Sequence, residues 1–388
     1  MFKDYTNMTK FLITGARAPV ALELARNLNK HGHYVVMADS LRFPISRNTN
    51  AIKQFYHIVK PRHNIKLFKN SLLEIIQKEN IDFLIPTCEE VFYIAHIKPL
   101  LEKSCQVICP SFELISQFHS KSKILDLCSE LDINIPKTSK FSLKELSKIS
   151  DFTEKVVKRE FCRFGTDVII NPTPKLIQKI KPHSAHHEFL LQEKIHGVEL
   201  CAYAIAYGGE INAESIYQPI HKLKQAAGIY FDPVENISIS NFIQKFCQKY
   251  QITGQISFDF IVNKQGTYLI ECNPRATSGL HLLNNKNLSL CFIGKNQFQN
   301  DTKISEAKMV RLAMLLLALP KALISLQFKS WWADFNFAKD VISSNKDKRF
   351  LLYPFLSLAE LVFIAIKEKV SLRAASTMDI EWDGEDIL

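Results

Sequence analysis

Four local patterns follow one another near the start of the chain and limit the folds it can adopt. Lys10–Thr14 is apolar, Gly15 follows it, residues 19–29 have helical periodicity, and residues 34–38 form a second apolar segment that ends at Asp39. Two strands joined through a helix run parallel, because such a crossover cannot form a hairpin. The sequence therefore predicts a βαβ unit of a parallel sheet.

The same alternation continues along the chain. Residues 81–85 and 106–109 are apolar, and residues 89–101 between them have a helical pattern. These features predict a Rossmann-like α/β domain over residues 1–116. Strand patterns dominate residues 117–300, and Leu-rich helical patterns dominate residues 301–388. The predicted fold class is thus α/β plus α+β, with a mostly helical C-terminal region.

Composition narrows the class of protein. The chain has 388 residues, of which 47% are apolar and 23% charged, which is typical of a globular protein with two or three domains. Its 49 basic and 39 acidic residues give a net charge of +10 without a dense basic block. This excess suits polyphosphates, acidic partners or anionic surfaces, and nucleic acid is not predicted as a partner.

Cysteine usage and apolar runs bear on the compartment. The nine cysteines form no CxxC pair, so neither a zinc ribbon nor a disulfide framework is predicted. No secretion signal is recognisable, and the apolar run at residues 312–319 is far shorter than a membrane-spanning helix requires. We expect a soluble, cytoplasmic protein.

The most informative stretch is residues 255–275, QISFDFIVNKQGTYLIECNPR. A turn with Gly266 predicts a hairpin, and strand alternation aligns Asp259, Glu271 and Asn273 on one face. Two carboxylates and an amide oxygen suit Mg²⁺, which also takes ligands from substrate phosphates. Arg275 follows on the same side and could bind a phosphate or carboxylate with its guanidinium fork.

An exposed edge hairpin with ordinary surface charges is the alternative for this stretch. Phe258, Phe260 and Ile270 flank the two acids, so at least one face of the strands should be buried. Paired acids in such a place are costly unless a cation compensates them. The pattern therefore favours a metal site.

The hairpin, with its E-x-N-P-R ending at Arg275, resembles the magnesium-binding end of ATP-grasp ligases, notably carbamoyl-phosphate-synthase-like and biotin-carboxylase-like members. The resemblance implies a two-lobed ATP-grasp domain over residues 117–300. It implies that Asp259 and Glu271 bridge two Mg²⁺ ions, with Mn²⁺ as an alternative, and that Asn273 completes the ligand shell of one of them. Arg275 would be catalytic and hold the reacting phosphate or carboxylate.

Two lysines match the phosphate-binding cations of that family. Residues 119–135 have a helical pattern, and Lys121 lies near its start. Lys121 precedes a segment similar to G-I-P-x-P, with Asp132 where the family usually has glycine, and Lys123 is a competing choice. Lys158 closes an apolar strand predicted at residues 152–158. The resemblance makes Lys158 a phosphate-binding and catalytic residue. It also makes the glycine-poor loop at residues 161–165 a flap over the phosphates, where Arg163 and the preceding Arg159 could supply charge.

A further segment, residues 192–199, is similar to the adenine-binding hinge of the family. By this resemblance Glu193 and the backbone through Lys194 and Ile195 would meet adenine, and Glu199 would accept a hydrogen bond from a ribose hydroxyl. His221 with Lys222 or Lys224 follows where further phosphate contacts are plausible.

The turn after the first strand supports a competing enzyme class. Gly15 and Asp39 fit an NAD(P)-dependent oxidoreductase, although the full G-x-G-x-x-G fingerprint is absent. In the ATP-grasp interpretation, Arg17 could instead hold an anionic substrate. Glu89 could face a substrate amine or simply stabilise a helix N-terminus.

Together, these features predict an ATP-dependent ligase that activates a carboxylate as an acyl phosphate and joins it to an amine. The expected partners are ATP and small-molecule carboxylate and amine substrates. A nucleotide-binding scaffold without catalysis is the non-enzyme alternative. For the C-terminal region, packing onto the lobes is the default, with a homodimer surface or peripheral membrane contact as alternatives.

Overall fold

The computed structural model describes residues 8–161, 168–180, 188–222, 228–283, 285–295, 306–343, 347 and 353–388. Its N-terminal part is a parallel sheet in the order β3-β2-β1-β4-β5. The strands are β1 (Lys10–Thr14), β2 (Tyr34–Asp39), β3 (Gln54–His57), β4 (Phe83–Ile85) and β5 (Gln106–Val107), and the helices are α1 (Pro19–Lys30), α2 (Ile65–Glu79) and α3 (Val91–Leu101). The predicted mixed α/β architecture with a parallel sheet is confirmed.

The central strands β1, β2 and β4 are buried on both faces, which explains why they are mainly apolar rather than alternating. Phe11 and Ile13 of β1 pack in one cluster with Leu24 of α1, whereas Leu12 points to the other face and packs with Phe68 and Phe92 from α2 and α3. Successive residues of β1 thus anchor helices on opposite sides of the sheet.

Two short helices, α4 (Phe112–His119) and α5 (Lys123–Cys128), lead to a small lobe with an antiparallel sheet in the order β6-β9-β7-β8. This lobe comprises β6 (Thr138–Ser142), α6 (Leu143–Leu146), β7 (Lys155–Arg159), β8 (Val168–Ile170), α7 (Pro174–Ile177) and β9 (Glu188–Glu193). Its core joins Val157 and Phe189 of the sheet to Leu146 and Ile177 of the helices.

A larger sheet follows, in the order β14-β13-β10-β11-β12-β15-β16. Its first strands and helices are β10 (Val198–Tyr207), β11 (Glu210–Pro219), β12 (Tyr230–Pro233), α8 (Ile237–Tyr250), β13 (Gly254–Asn263), β14 (Gly266–Asn273), a 3₁₀ helix (Ser278–Leu283) and α9 (Leu288–Phe292). Helix α8 covers one face of the sheet through Phe242 and Phe246. The predicted hairpin is confirmed as β13 and β14.

The C-terminal part extends this sheet and adds helices. It contains β15 (Lys308–Met309), α10 (Arg311–Ala313), a π-helical turn (Met314–Ala318), α11 (Leu319–Ile324), α12 (Phe328–Phe337), β16 (Lys339–Asp340), α13 (Tyr353–Glu368) and α14 (Leu372–Ala375). Strands β15 and β16 show that the large sheet continues beyond residue 300. Among the helices in the described ranges, none is long and apolar enough to cross a membrane.

The last residues return to the N-terminal sheet. Trp382 is buried against Phe92 and Phe112, with ring centroids 5.2 and 5.3 Å away. It also contacts Phe161, which follows β7 of the small lobe. Arg62 forms ion pairs with three acids of this tail: Glu381, Asp383 and Glu385. The chain end is therefore an integral part of the structure.

Candidate active site

The acidic hairpin brings its three predicted metal ligands together. Asp259 of β13 lies directly opposite Glu271 of β14, so both side chains leave the same face of the sheet. The amide nitrogen of Asn273 is 3.4 Å from Asp259 Oδ2 and 3.4 Å from Glu271 Oε1. The pairing follows from the turn at Gly266, whose φ of +137° suits glycine.

The two carboxylates have opposite pKa shifts. Burial, and then the neighbouring charge of Glu271, raises the pKa of Asp259. Burial acts in the same direction on Glu271, but the ammonium groups of Lys121 and Lys158 outweigh it and lower the pKa of that carboxyl. The hairpin therefore places Glu271, which is strongly stabilised as a carboxylate, beside Asp259, which forms no ion pair with a cation among the described residues.

This donor set fits Mg²⁺ held jointly with a nucleotide. Among the described residues, no three His, Cys, Asp or Glu side chains converge as a metal cluster. Two carboxylates beside an amide match the few protein ligands that Mg²⁺ takes when phosphates and water supply the rest. A divalent ion there would also compensate the charge that makes ionisation of Asp259 costly.

Lys121 lies between α4 and α5 rather than within the single helix predicted near residues 119–135, and its ammonium nitrogen is 3.0 Å from Glu271 Oε2. Glu160 holds the segment that carries it. The backbone nitrogen of Ser122 donates to Glu160 Oε1 at 3.2 Å, and that of Lys121 donates to the Glu160 carbonyl at 3.2 Å. Glu160 was not predicted from the sequence, because nothing local marks it as a partner of a segment about forty residues earlier.

Lys158 is a buried residue of β7, and a hydrogen-bond chain across the small lobe fixes its side chain. Its ammonium donates to Gln192 Oε1 of β9 at 2.8 Å, and the amide nitrogen of Gln192 donates to the hydroxyl of Thr138 in β6 at 2.9 Å. Gln192 was also missed, although it directly precedes Glu193 in the hinge-like segment. Most of the loop predicted as a flap lies outside the described residues, namely residues 162–165 with Arg163 and Gly165.

The hinge-like residues end β9 and begin β10. The backbone nitrogen of Glu193 donates to the Lys137 carbonyl at 2.8 Å, and that of Lys194 donates to the Glu154 carbonyl at 2.9 Å. Ile195 follows in the connection to β10 and is partly exposed. The hinge therefore joins the small lobe to the large one, and its first two backbone amides donate hydrogen bonds within the protein.

Glu199, near the start of β10, forms an ion pair with Lys222. His221 instead pairs with Asp334 at 2.8 Å, and Lys224 lies outside the described residues. Of the two described members of this basic group, Lys222 contacts a predicted nucleotide-binding residue and His221 does not.

Arg275 links the hairpin to the N-terminal sheet. Its Nε donates to Glu89 Oε1 at 2.8 Å, and a terminal nitrogen lies 3.3 Å from Asn273 Oδ1. The sequence suggested that Glu89 faces a substrate amine or stabilises a helix N-terminus, and neither role includes a pair with Arg275. The structure assigns Glu89 a third role, as the counter-ion of Arg275.

The crevice expected for a dinucleotide is filled by the C-terminal tail. Arg17 pairs with Asp39 and with Asp379, whose carboxylate is 2.7 Å from the guanidinium. A cavity of only about 10 Å³ remains beside Gly15 and Ile380, far below the ~300 Å³ of small ligand pockets. Because Asp39 and Arg17 are both engaged, this arrangement argues against a bound NAD(P) and against an open anion site at Arg17.

Asp132, where the resemblance to the family predicts glycine, has a left-handed backbone conformation. Its φ is +29°, in the left-handed region that glycine occupies most easily. Its carboxylate forms an exposed ion pair with Lys245. The departure from the family pattern therefore leaves the backbone path intact.

Comparison with known proteins agrees with this architecture. No family model matches the chain. The arginine-specific carbamoyl phosphate synthase large chain of Geobacillus stearothermophilus is 21% identical over 262 residues, which cover 64% of this chain and 24% of that protein. The chain thus spans about a quarter of the length of that relative.

Two solved structures have a similar fold. The biotin carboxylase domain of 2-oxoglutarate carboxylase from Hydrogenobacter thermophilus, in complex with MgADP, superposes with a TM-score of 0.60 at 13% identity, covering 78% of this chain and 74% of that one. L-amino acid ligase from Bacillus licheniformis gives 0.59 at 12% identity, covering 77% and 78%. These neighbours are ATP-grasp ligases, so the resemblance drawn from the sequence is confirmed, and the chain has the ATP-grasp fold.

Proposed function

We propose that this protein is an ATP-dependent ligase that activates a carboxylate as an acyl phosphate and joins it to an amine. The observation that carries the proposal is the 3.0 Å contact between Lys121 and Glu271, because it joins a predicted phosphate-binding cation to a predicted metal ligand. Asn273 lies beside the same carboxylate. Cations and oxygen ligands in one place are what an ATP phosphate chain with Mg²⁺ requires.

Each group has a distinct role in the proposed reaction. Lys121 and Lys158 bind the phosphates of ATP, and the hinge from Glu193 to Ile195 binds adenine. Asp259, Glu271 and Asn273 would hold Mg²⁺, which when bound neutralises phosphate charge. Glu199 accepts a hydrogen bond from the ribose once Lys222 shifts from it.

The chemistry needs no protein nucleophile. A carboxylate oxygen of the substrate attacks the γ-phosphorus of ATP, the bond to the bridging oxygen breaks, and ADP leaves with that electron pair. The amine then attacks the acyl carbon and phosphate departs, while the amine proton passes to solvent. Arg275, held by Glu89, stabilises negative charge on the substrate carboxylate and on the acyl phosphate.

The similar proteins support this class of reaction. One neighbour is named as an amino acid ligase, and another was solved with MgADP and bicarbonate. The identities are low, so the proposal depends mainly on the residues of this chain. Carboxylates and amines of small molecules are the substrates we propose.

Calorimetry of ATP binding, with and without Mg²⁺, tests the proposal. The wild type is compared with the double variant Asp259→Asn/Glu271→Gln, which keeps side-chain size but removes both charges. A matched control, Glu210→Gln/Glu235→Gln, makes the same chemical changes at exposed positions of the large lobe. We expect Mg²⁺-dependent binding in the wild type and the control and its loss in the hairpin variant.

A second step distinguishes a ligase from a binding scaffold. Pairs of carboxylates and amines are screened for release of ADP and phosphate, and positive pairs are checked for the ligated product. ATP binding without turnover by any pair would favour the scaffold alternative. Binding of NAD(P)H in the absence of ATP binding would overturn the ATP-grasp assignment of the site.

A further inference from the structure

Helix α13 (Tyr353–Glu368) is apolar but almost uncovered. Only Ser357 along its length is buried. Six large apolar side chains are exposed, with Phe363 at 66% and Ile366 at 73%; the others are Phe355, Leu356, Leu358 and Val362. Exposed apolar surface of this extent is unusual on a monomer and marks a contact surface.

The two acidic side chains within residues 346–366 bind other parts of the protein. Asp347 and Glu360 are the only acids in residues 346–366. Asp347 is buried and binds Arg26 and the backbone of Asn50. The carboxylate of Glu360 accepts hydrogen bonds from the backbone nitrogens of Arg42 and Phe43 at 2.9 and 2.8 Å. Both negative charges are therefore engaged, and Glu360 fastens the helix to the loop at Arg42 and Phe43, whereas Glu368 at the end of the helix is exposed.

Basic residues flank the apolar run on both sides in the sequence. Lys346, Lys348 and Arg349 precede it, and Lys367, Lys369 and Arg373 follow it, with Glu368 as the one acid among the latter. The loop bonded to Glu360 adds two exposed side chains, those of Arg42 and Phe43.

We infer that helix α13 binds the surface of an anionic lipid bilayer, lying in the interface rather than crossing it. An apolar face of Phe, Leu and Ile with basic flanks is the pattern of interfacial helices. The net charge of +10 attracts the chain to anionic headgroups. The same charge opposes self-association, and the cores of protein interfaces are depleted in lysine, so a second copy of the chain fits this surface less well.

Vesicle sedimentation of the full-length chain tests the inference. Vesicles of phosphatidylcholine alone are compared with vesicles of equal parts phosphatidylcholine and phosphatidylglycerol, at about 0.1 M and about 0.5 M salt. We expect binding to the anionic vesicles that weakens at the higher salt, because screening shortens the reach of the charges.

Two variants separate the apolar from the electrostatic contribution. Phe363→Glu/Ile366→Glu should lower the partition coefficient on the order of a hundredfold, since two side chains no longer enter the interface. Lys367→Gln/Lys369→Gln should lower it about fivefold for each lysine. Ile237→Glu is the matched control, because Ile237 is 78% exposed at the start of α8, and it should bind vesicles like the wild type.

The outcomes are separable from those of the nucleotide experiments. Circular dichroism melting checks that each variant is folded. Absence of vesicle binding by the wild type, or equal binding by Phe363→Glu/Ile366→Glu, would overturn the inference. So would a wild-type dimer in analytical ultracentrifugation that dissociates in this variant without vesicle binding, because the surface would then be an interface between copies of the chain.

Discussion

Glu89 and Arg275 form a 2.8 Å ion pair between the N-terminal parallel sheet and the end of the acidic hairpin. The Glu89 side chain is 1% exposed and that of Arg275 is 14% exposed, so the pair is largely shielded from water. Because Arg275 also contacts Asn273, the N-terminal sheet directly orients the end of the candidate metal site. The two parts of the chain are thus coupled at the point where chemistry is proposed.

Glu89→Gln should destabilise the fold, because the Arg275 charge would be left buried without its counter-ion. We expect the free energy of unfolding to fall by about 3 kcal/mol, as for other broken buried pairs, measured by urea denaturation. Glu102→Gln is the control on the C-terminal end of α3, where an exposed pair with Lys98 contributes at most about 1 kcal/mol. Equal losses in the two variants would contradict the proposed importance of the Glu89 pair.

Lys158→Met should weaken nucleotide binding. A cation about 4 Å from a phosphate charge contributes about 4 kcal/mol at an effective dielectric near 20, so ATP affinity should fall by up to about a thousandfold. Lys155→Met is the control on the same strand. Its side chain leaves the opposite face of β7, since the two residues are three apart. Calorimetry that gives the same ATP affinity for both variants would remove Lys158 from the site.

The parts of the fold that were predicted depend on local patterns. Strand alternation placed Asp259, Glu271 and Asn273 on one face, and the structure brings them together because hairpin pairing is decided within twenty residues. The apolar strands β1 and β2 were equally visible, because both of their faces are buried. Where burial repeats with the period of the secondary structure, the sequence is sufficient.

The missed features are contacts between distant segments. Glu160, directly after β7, binds the Ser120–Ser122 segment, and Asp379 reaches Arg17 from the other end of the chain. Neither acid lies in a motif, and their partners are chosen by tertiary packing. The helix predicted near residues 119–135 was too long. Glu160 binds Ser122 in the non-helical segment between α4 and α5, and this distant contact is not visible in the local sequence.

Glu160→Ala should weaken ATP binding without removing any atom proposed to touch ATP. The carboxylate holds Ser120 and Ser122 on either side of Lys121, so its loss should let that lysine move. We expect roughly a tenfold loss of ATP affinity, about 1.4 kcal/mol, by calorimetry. In the Glu160→Ala background, Lys121→Met should cause little additional loss of ATP affinity, because the two changes affect one interaction.

The control for this experiment is Glu188→Ala. Glu188 is an exposed neighbour that shares Lys140 with Glu160 but does not contact the Lys121 segment. It should leave ATP affinity unchanged. Fully additive losses in the Glu160→Ala/Lys121→Met variant would show that Glu160 does not act through Lys121.

The Arg17–Asp379 pair should make attachment of the C-terminal tail depend on pH. Burial would raise the pKa of Asp379, but the charge of Arg17 outweighs burial and lowers it below its usual value. A carboxyl with a lower pKa in the folded state stabilises the protein above its unfolded pKa, near 4, and loses that contribution as pH falls through the folded pKa. The tail should therefore stay attached at pH 5 and above.

Asp379→Asn tests this dependence, because asparagine keeps the size of the side chain but not its charge. At pH 7 we expect it to lower the free energy of unfolding by about 3 kcal/mol, since Arg17 would keep only Asp39 as a counter-ion. The difference from the wild type should shrink as pH falls below about 4, where the carboxyl of the unfolded wild type takes up a proton, and should vanish once pH is below the lower pKa of the folded state. Asp383→Asn, at a more exposed acid of the same tail, should show only a small difference at any pH. A deficit of Asp379→Asn that stays constant from pH 7 to pH 3 would mean that packing rather than charge holds the tail in the crevice.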